Sequence, residues 1–181
     1  MKARPGNSVR IVGGEFRSRL LRFPDLPGLR PTPDRVRETL FNWLGQDLAG
    51  WSCLDAFAGS GALGFEAASR GAARVLMLER DGKAVATLRA QAAALPATVV
   101  EIRQADALAF LAGPGENFDL ILLDPPCDAD LLGPALQGAA TRLNPGGKIY
   151  AESPRDLAPE GFDILRRGRA GLSHFCLLEP V

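Results

Sequence analysis

Two short stretches hold residue types that can do chemistry. The first is Asp124-Pro125-Pro126-Cys127, which ends the apolar run Leu120-Ile121-Leu122-Leu123. Consecutive prolines fix the backbone and remove two N–H donors, so the segment offers acceptors only: carbonyl oxygens and the Asp124 carboxylate. An acceptor-only edge suits a group that gives up protons, such as an exocyclic amino group whose nitrogen attacks an electrophilic methyl. That nitrogen is conjugated with its ring and weakly nucleophilic. Hydrogen bonds to its protons favour the localised lone pair, and in-line positioning lowers the barrier further. As plain structure, the same tetrapeptide reads as a turn that stops a strand.

The second stretch is Asp55-Ala56-Phe57-Ala58-Gly59-Ser60-Gly61-Ala62-Leu63-Gly64. Gly59, Gly61 and Gly64 have the G-x-G-x-x-G spacing of a nucleotide-binding turn, although glycines also serve tight turns and close helix–sheet packing. Glu79 follows Gly59 by 20 residues, where a carboxylate can hold a ribose hydroxyl. This architecture accepts a nicotinamide dinucleotide or S-adenosylmethionine. Asp55 favours the second, because a carboxylate is unfavourable beside a pyrophosphate and favourable beside a cationic amino group. Asp106 and Ala107 follow the third strand, where a carboxylate can accept from an adenine amino group. Asp106 suits a helix cap equally well.

These residues need a sheet to hold them. Short apolar runs predict strands at 52–57, 74–79, 98–103, 118–124, 147–152, 162–167 and 172–178. Ala-rich stretches at 61–70, 82–95, 107–111 and 131–143 predict the intervening helices. Continuous apolar strands imply burial on both faces, hence a doubly wound, mostly parallel α/β sheet of seven strands. The last two runs have no helix between them and should form an antiparallel pair at one edge. Ahead of this unit, 10–23 reads as a β-hairpin around Gly13-Gly14. Thr32-Pro33-Asp34 reads as an N-cap with proline in the first turn, opening a helix over 33–48 with Val36, Leu40, Phe41, Leu44 and Leu48 inward and Arg35, Arg37 and Glu38 outward. Residues 1–32 form a basic arm of the same unit, and 33–181 the catalytic domain.

Length and composition fit that picture. The chain has 181 residues, 46% hydrophobic and 23% charged, which suits one globular domain and excludes a disordered chain. No apolar run approaches the ~18 residues of a membrane span. The three cysteines are far apart, without a disulfide or zinc pattern, as expected of a reducing cytoplasm. The formal net charge is zero, yet residues 1–37 hold nine Lys and Arg against three acids, leaving the rest of the chain acidic. A basic arm on an acidic body suits a polyanion, and the bland alternative is a solvated arginine-rich surface.

Asp-Pro-Pro followed by an aromatic residue is the signature of amino-group methyltransferases, and Asp55-x-Phe57-Ala58-Gly59-Ser60-Gly61 is similar to their cofactor motif. Arg10-Ile11-Val12-Gly13-Gly14, Leu29-Arg30-Pro31-Thr32-Pro33-Asp34-Arg35-Val36-Arg37-Glu38-Thr39-Leu40-Phe41 and Cys53-Leu54-Asp55 closely resemble one bacterial family, the small-subunit (16S) ribosomal RNA guanine-N2 methyltransferase D family. The resemblance runs from about Arg10 to about Glu152 and weakens beyond. It implies a Rossmann-like class I methyltransferase fold and methylation of one guanine N2 in 16S ribosomal RNA, within an assembling particle, by a cytoplasmic monomer. It implies that Asp55, Phe57, Gly59 and Gly61 line the S-adenosylmethionine site, that Glu79 holds the ribose, and that Asp106 and Ala107 hold the adenine. Asp124 and the Pro125 carbonyl, backed by Pro126 and Cys127, would accept from the target amino group. Arg10, Arg30, Arg35 and Arg37 lie in the matching N-terminal blocks, and their charge suits RNA.

One departure stands out. The family places Phe or Tyr after Asp-Pro-Pro, to stack on a flipped-out base, and this chain has Cys127. Phe16 or Phe57 could supply a platform instead. A cysteine there also raises 5-methylcytosine chemistry with Cys127 as nucleophile, although Asp124, Asp128 and Asp130 around it oppose thiolate formation. Another amino-group target, a nicotinamide oxidoreductase and a non-catalytic RNA-binding domain complete the alternatives.

Overall fold

The computed structural model describes residues 7–127 and 130–181, so Lys2 and Arg4 of the basic arm, and Asp128, lie outside the described residues. A small antiparallel ribbon of β1 (Ser8–Arg10) and β2 (Leu20–Arg22) leads to helix α1 (Asp34–Trp43). Then strands and helices alternate: β3 (Ser52–Asp55), α2 (Ala62–Ser69), β4 (Arg74–Glu79), α3 (Gly82–Ala94), β5 (Val100–Gln104), α4 (Ala107–Ala112), β6 (Phe118–Leu123), α5 (Leu132–Ala140) and β7 (Leu143–Ser153). A hairpin of β8 (Phe162–Ala170) and β9 (Ser173–Pro180) ends the chain.

The seven-stranded sheet has the order β5-β4-β3-β6-β7-β9-β8, parallel from β5 to β7. The antiparallel pair sits at one edge as expected, and the reversed strand β9 lies second from that edge, between β7 and β8. Burial explains the order. Phe175, Cys176, Leu177 and Leu178 are all buried and need a strand on each side, whereas β8 exposes Arg166, Arg167 and Arg169 and tolerates an edge.

Side chains alternate across the sheet. Cys53, Met77, Leu120, Leu122, Tyr150 and Phe175 meet Leu40 and Phe41 of α1, Phe65 of α2 and Leu88 of α3. Leu54, Leu76, Leu78, Ile121, Leu123 and Ile149 meet Leu111 of α4 and Leu136 of α5 on the opposite face. The Trp43 ring lies 5.4 Å from that of Phe175, fastening the end of α1 over β9. Each large apolar side chain buried in this way stabilises the fold by roughly 1.5–3 kcal/mol.

The N-terminal segment departs from the sequence reading in three ways. Gly13-Gly14 is not a tight hairpin turn: β1 and β2 pair only through Ser8↔Arg22, Val9↔Leu21 and Arg10↔Leu20, and residues 11–19 form a longer loop laid against α2. Gly14 is required there by contact as well as by its φ of +76°, since a Cβ would sit 1.9 Å from the Ser69 carbonyl oxygen. Helix α1 stops near Leu44 rather than at 48, because Gly45 (φ +87°) and Gln46 (φ +67°) turn the backbone left-handed. At its start the cap position belongs to Pro33, with no side-chain capping bond, and the Thr32 hydroxyl is engaged elsewhere.

Candidate active site

Strand register builds a row of acids at the carboxyl edge of the sheet, where open α/β sheets bind ligands. Asp55 pairs with Met77 on one side and with Leu122 on the other, and Leu123 pairs with Ala151. Asp124 and Glu152 therefore lie one step past a registered pair, side by side. Period-two alternation puts Asp55, Glu79, Asp124 and Glu152 on the face covered by α1 and α2.

Asp55 is 1% exposed. Its Oδ2 accepts from the Gly64 N–H at 3.0 Å, while buried Oδ1 has no partner within hydrogen-bond distance among the described residues, although the nearby Phe57 N–H, like that of Gly64, favours the ionised carboxyl. Burial, reinforced by the field of Glu79, pushes its carboxyl up to about 7. A buried, unpartnered acceptor is costly unless a ligand completes it. The glycines beside it have separate jobs. Gly61 starts α2 in the left-handed region at φ +81°, where a Cβ would meet Leu88 and Phe65 at 2.7 Å. Gly64 lets α2 approach β4, since a Cβ would lie 2.3 Å from Met77. Above Gly59 the nearest atoms are 4.0 Å from a Cβ position, so that surface is open to a ligand.

Glu79 is tied to the same loop. Its Oε2 accepts from the Gly59 N–H at 3.0 Å and its Oε1 from the Asp81 N–H at 2.9 Å. Asp106 is exposed and caps α4, its Oδ1 accepting from the Ala109 N–H at 2.8 Å. Ala107 is buried beneath it, and Phe57 packs half-buried on the α4–α5 side of the sheet. The open loop at Gly59, the carboxylate at Glu79 and the free oxygen of Asp55 suit a ligand with a cationic amino group and a ribose.

Asp124 occupies the rim. Its Oδ2 accepts from the Thr32 hydroxyl at 3.0 Å. Withdrawal from water raises its carboxyl to about 8, the Glu152 and Asp55 charges push the same way, and the Thr32 hydrogen bond opposes them. Glu152 accepts from the Tyr150 hydroxyl at 2.9 Å and from the Ser173 hydroxyl at 2.5 Å, so both its oxygens are held. Pro125 is half-buried, whereas Pro126 and Cys127 are exposed at the lip. Sequence reasoning missed Thr32, Tyr150, Glu152 and Ser173. An acid ending the run Ile149-Tyr150-Ala151 was a readable signal for Glu152; the Thr32 hydroxyl had no local signal, because it serves a residue distant in the chain.

Arg10, Arg30 and Arg35 are exposed on the N-terminal segment. Arg37 is a correction: it lies on the buried face of α1, with no exposed side-chain surface, and cannot reach a phosphate. Its Nη1 donates to Glu66 Oε2 at 2.9 Å and to the Arg10 carbonyl at 2.8 Å, its Nε donates to the Thr32 carbonyl at 3.0 Å, and its Nη2 pairs with Asp34. Phe16 packs half-buried against the core below the loop. Among the described residues there is no group of three or more His, Cys, Asp or Glu arranged to hold a metal ion, and no helix long and apolar enough to cross a membrane.

The family described as "Conserved hypothetical protein 95" matches residues 9–179. A Haemophilus influenzae relative, ribosomal RNA small subunit methyltransferase D, is 38% identical over 180 residues, covering 94% of this chain and 93% of that protein. The chain belongs to the ribosomal RNA small subunit methyltransferase D family. The Escherichia coli protein of the same name is 48% identical over 124 residues, an alignment spanning 68% of this chain and 63% of that protein, less than two thirds of its length. The solved structure of Escherichia coli yhhF is 38% identical, with a TM-score of 0.84 over 96% of this chain and 98% of that one. The family fold is therefore the Rossmann-like methyltransferase fold described above.

Proposed function

We propose that this member of the methyltransferase D family methylates the exocyclic N2 amino group of one guanine in 16S ribosomal RNA, with S-adenosylmethionine as the methyl donor. The observation that carries the reading is the pairing of an unpartnered, buried Asp55 oxygen with the acceptor-only rim at Asp124 and Pro125. When bound, the donor supplies a methyl group made electrophilic by a positively charged sulfur. Asp55 Oδ1 takes its amino group, a charge-assisted bond that removes the cost of leaving that oxygen bare. Glu79 holds the ribose hydroxyls, and Asp106 with the backbone at Ala107 holds the adenine edge.

At the rim, one Asp124 oxygen and the Pro125 carbonyl accept the two amino protons of the guanine, and the fixed Pro125-Pro126 backbone holds that geometry. The methylated nitrogen must shed one proton. Asp124 can receive it in its ionised form, and because its carboxyl is raised to about 8 that form grows as the pH rises through this value. The target base must leave its stack to reach this edge. Exposed Arg10, Arg30 and Arg35 bind the surrounding phosphates. The substrate is the assembling small subunit, the protein acts as a monomer, and the setting is the cytoplasm.

Mass spectrometry of nucleosides from 16S ribosomal RNA tests this. Cells without the gene should lack one N2-methylguanosine, which the intact gene restores and an Asp124→Ala copy does not. An unchanged N2-methylguanosine content on deletion refutes the proposal.

A further inference from the structure

We infer that Thr32 is a positioning residue for methyl transfer, its hydroxyl holding Asp124 so that one carboxylate oxygen faces the target amino group. The inference rests on the reading of Asp124 as the amino-group acceptor. Thr32 is only 4% exposed and donates to Asp124 Oδ2 at 3.0 Å across 92 residues of sequence. A hydroxyl just ahead of a helix ordinarily caps it. Here α1 receives no side-chain cap, and that hydroxyl is committed to the catalytic rim instead.

Thr32 is itself held. Its carbonyl accepts from Arg37 Nε at 3.0 Å, and Arg37 is fixed by Glu66 of α2 at 2.9 Å. Glycine loop and α2 are continuous in the chain, so the donor to Asp124 is braced against the element that begins the cofactor site. Without this bond the Asp124 carboxyl is free to rotate about its terminal torsion beside Glu152, whose two oxygens are already engaged. With it, Oδ2 is occupied, and among the described residues no hydrogen bond engages Oδ1, the oxygen the proposal assigns to the substrate. A donor to the ionised form also opposes, without cancelling, the upward push that burial and the acidic neighbours give the Asp124 carboxyl.

The test uses the full chain with Thr32→Val, which keeps the shape and removes the donor, and Thr32→Ser, which retains it. Thr32→Val should lower kcat by about 10- to 100-fold, leave the KM for S-adenosylmethionine unchanged, and move the acid limb of the pH profile upward. Thr32→Ser should restore both kcat and the profile. Carbon-13 NMR of the Asp124 carboxyl, without RNA or donor, should show a higher titration midpoint in Thr32→Val alone. An unmoved midpoint, or a wild-type kcat in Thr32→Val, overturns the inference. If the midpoint moves as expected but the unaltered chain methylates no ribosomal RNA, the functional reading fails and the Thr32–Asp124 coupling stands.

Discussion

Arg37 and Glu66 form an ion pair 2.9 Å long, with neither side chain exposed to water. Glu66 is fully occupied: besides Arg37 it accepts from Arg70 Nη2 at 3.1 Å, from the Val12 N–H at 2.9 Å and from the Gly13 N–H at 2.8 Å. One carboxylate on α2 thus fastens the N-terminal loop, helix α1 and, through Arg37 and Thr32, the rim at Asp124. The Arg-Pro-Thr-x-x-Arg-Val-Arg block is the sequence trace of that fastening.

Glu66→Gln should destabilise the protein by about 3–5 kcal/mol, because it leaves buried Arg70 without a counter-charge and buried Arg37 with only the exposed carboxylate of Asp34. Denaturant unfolding monitored by circular dichroism measures this. A change below about 1 kcal/mol would mean that water reaches the cluster and that the loop is not held by it.

Under the proposed assignment, Asp55 links cofactor binding to pH. Its carboxyl is raised from 3.8 to about 7 in the fold, so the native state retains a proton that the unfolded chain releases earlier. The stability this contributes is complete below pH 3.8 and is lost as pH rises through about 7. Asp55→Asn removes the titration. Its stability relative to the unaltered protein should increase by about 2–3 kcal/mol between pH 5 and 8, as read by denaturant unfolding at each pH. The same substitution should abolish S-adenosylmethionine binding in calorimetry. In the unaltered protein, binding at pH 7 should release about half a proton per site, visible as a binding heat that varies with the ionisation heat of the buffer.

Much of the sheet was readable because its signal is local. Leu120-Ile121-Leu122-Leu123 suits a strand buried on both faces, and an acid ending such a strand stands at the carboxyl edge of the sheet. The glycine loop was equally legible from its spacing, with Gly59 and Gly61 in the left-handed region of one turn, although the reason for Gly64, its approach to Met77 on β4, lies outside that turn. What escaped depends on distant partners. Arg37 looked like a solvated helix arginine until α2 placed Glu66 opposite it. Thr32 looked like a cap because the acceptor that engages it, Asp124, arrives from the far side of the chain. Gly13-Gly14 looked like a hairpin turn because the Ser69 backbone pressed against Gly14 leaves no mark on the local pattern.

The exposed arginines should divide cleanly from the buried one. Arg30→Glu and Arg35→Glu should weaken RNA binding for all sequences and lower the slope of log K against log salt by about 1 for each phosphate no longer neutralised. Arg37→Met should instead lower the unfolding free energy, since its guanidinium is sealed inside the fold. Filter binding over a salt series separates the two outcomes. A salt slope unaffected by Arg30→Glu and Arg35→Glu would move the RNA surface away from this segment.

Cys127 is exposed at the lip, directly after Pro126, where the family resemblance places an aromatic ring. Stacking a base on an aromatic side chain contributes roughly 1–3 kcal/mol, and a thiol offers little of that surface. Cys127→Phe should therefore lower the KM for RNA by about tenfold with kcat little changed, and Cys127→Ala should retain kcat. A cysteine that attacked the base would behave in the opposite way, because neither alanine nor phenylalanine can form the covalent bond that makes a pyrimidine carbon reactive. Steady-state kinetics on the two variants thus tests the assignment of the site to amino-group chemistry. Loss of turnover in both would transfer the reacting role from Asp124 to the thiol beside it.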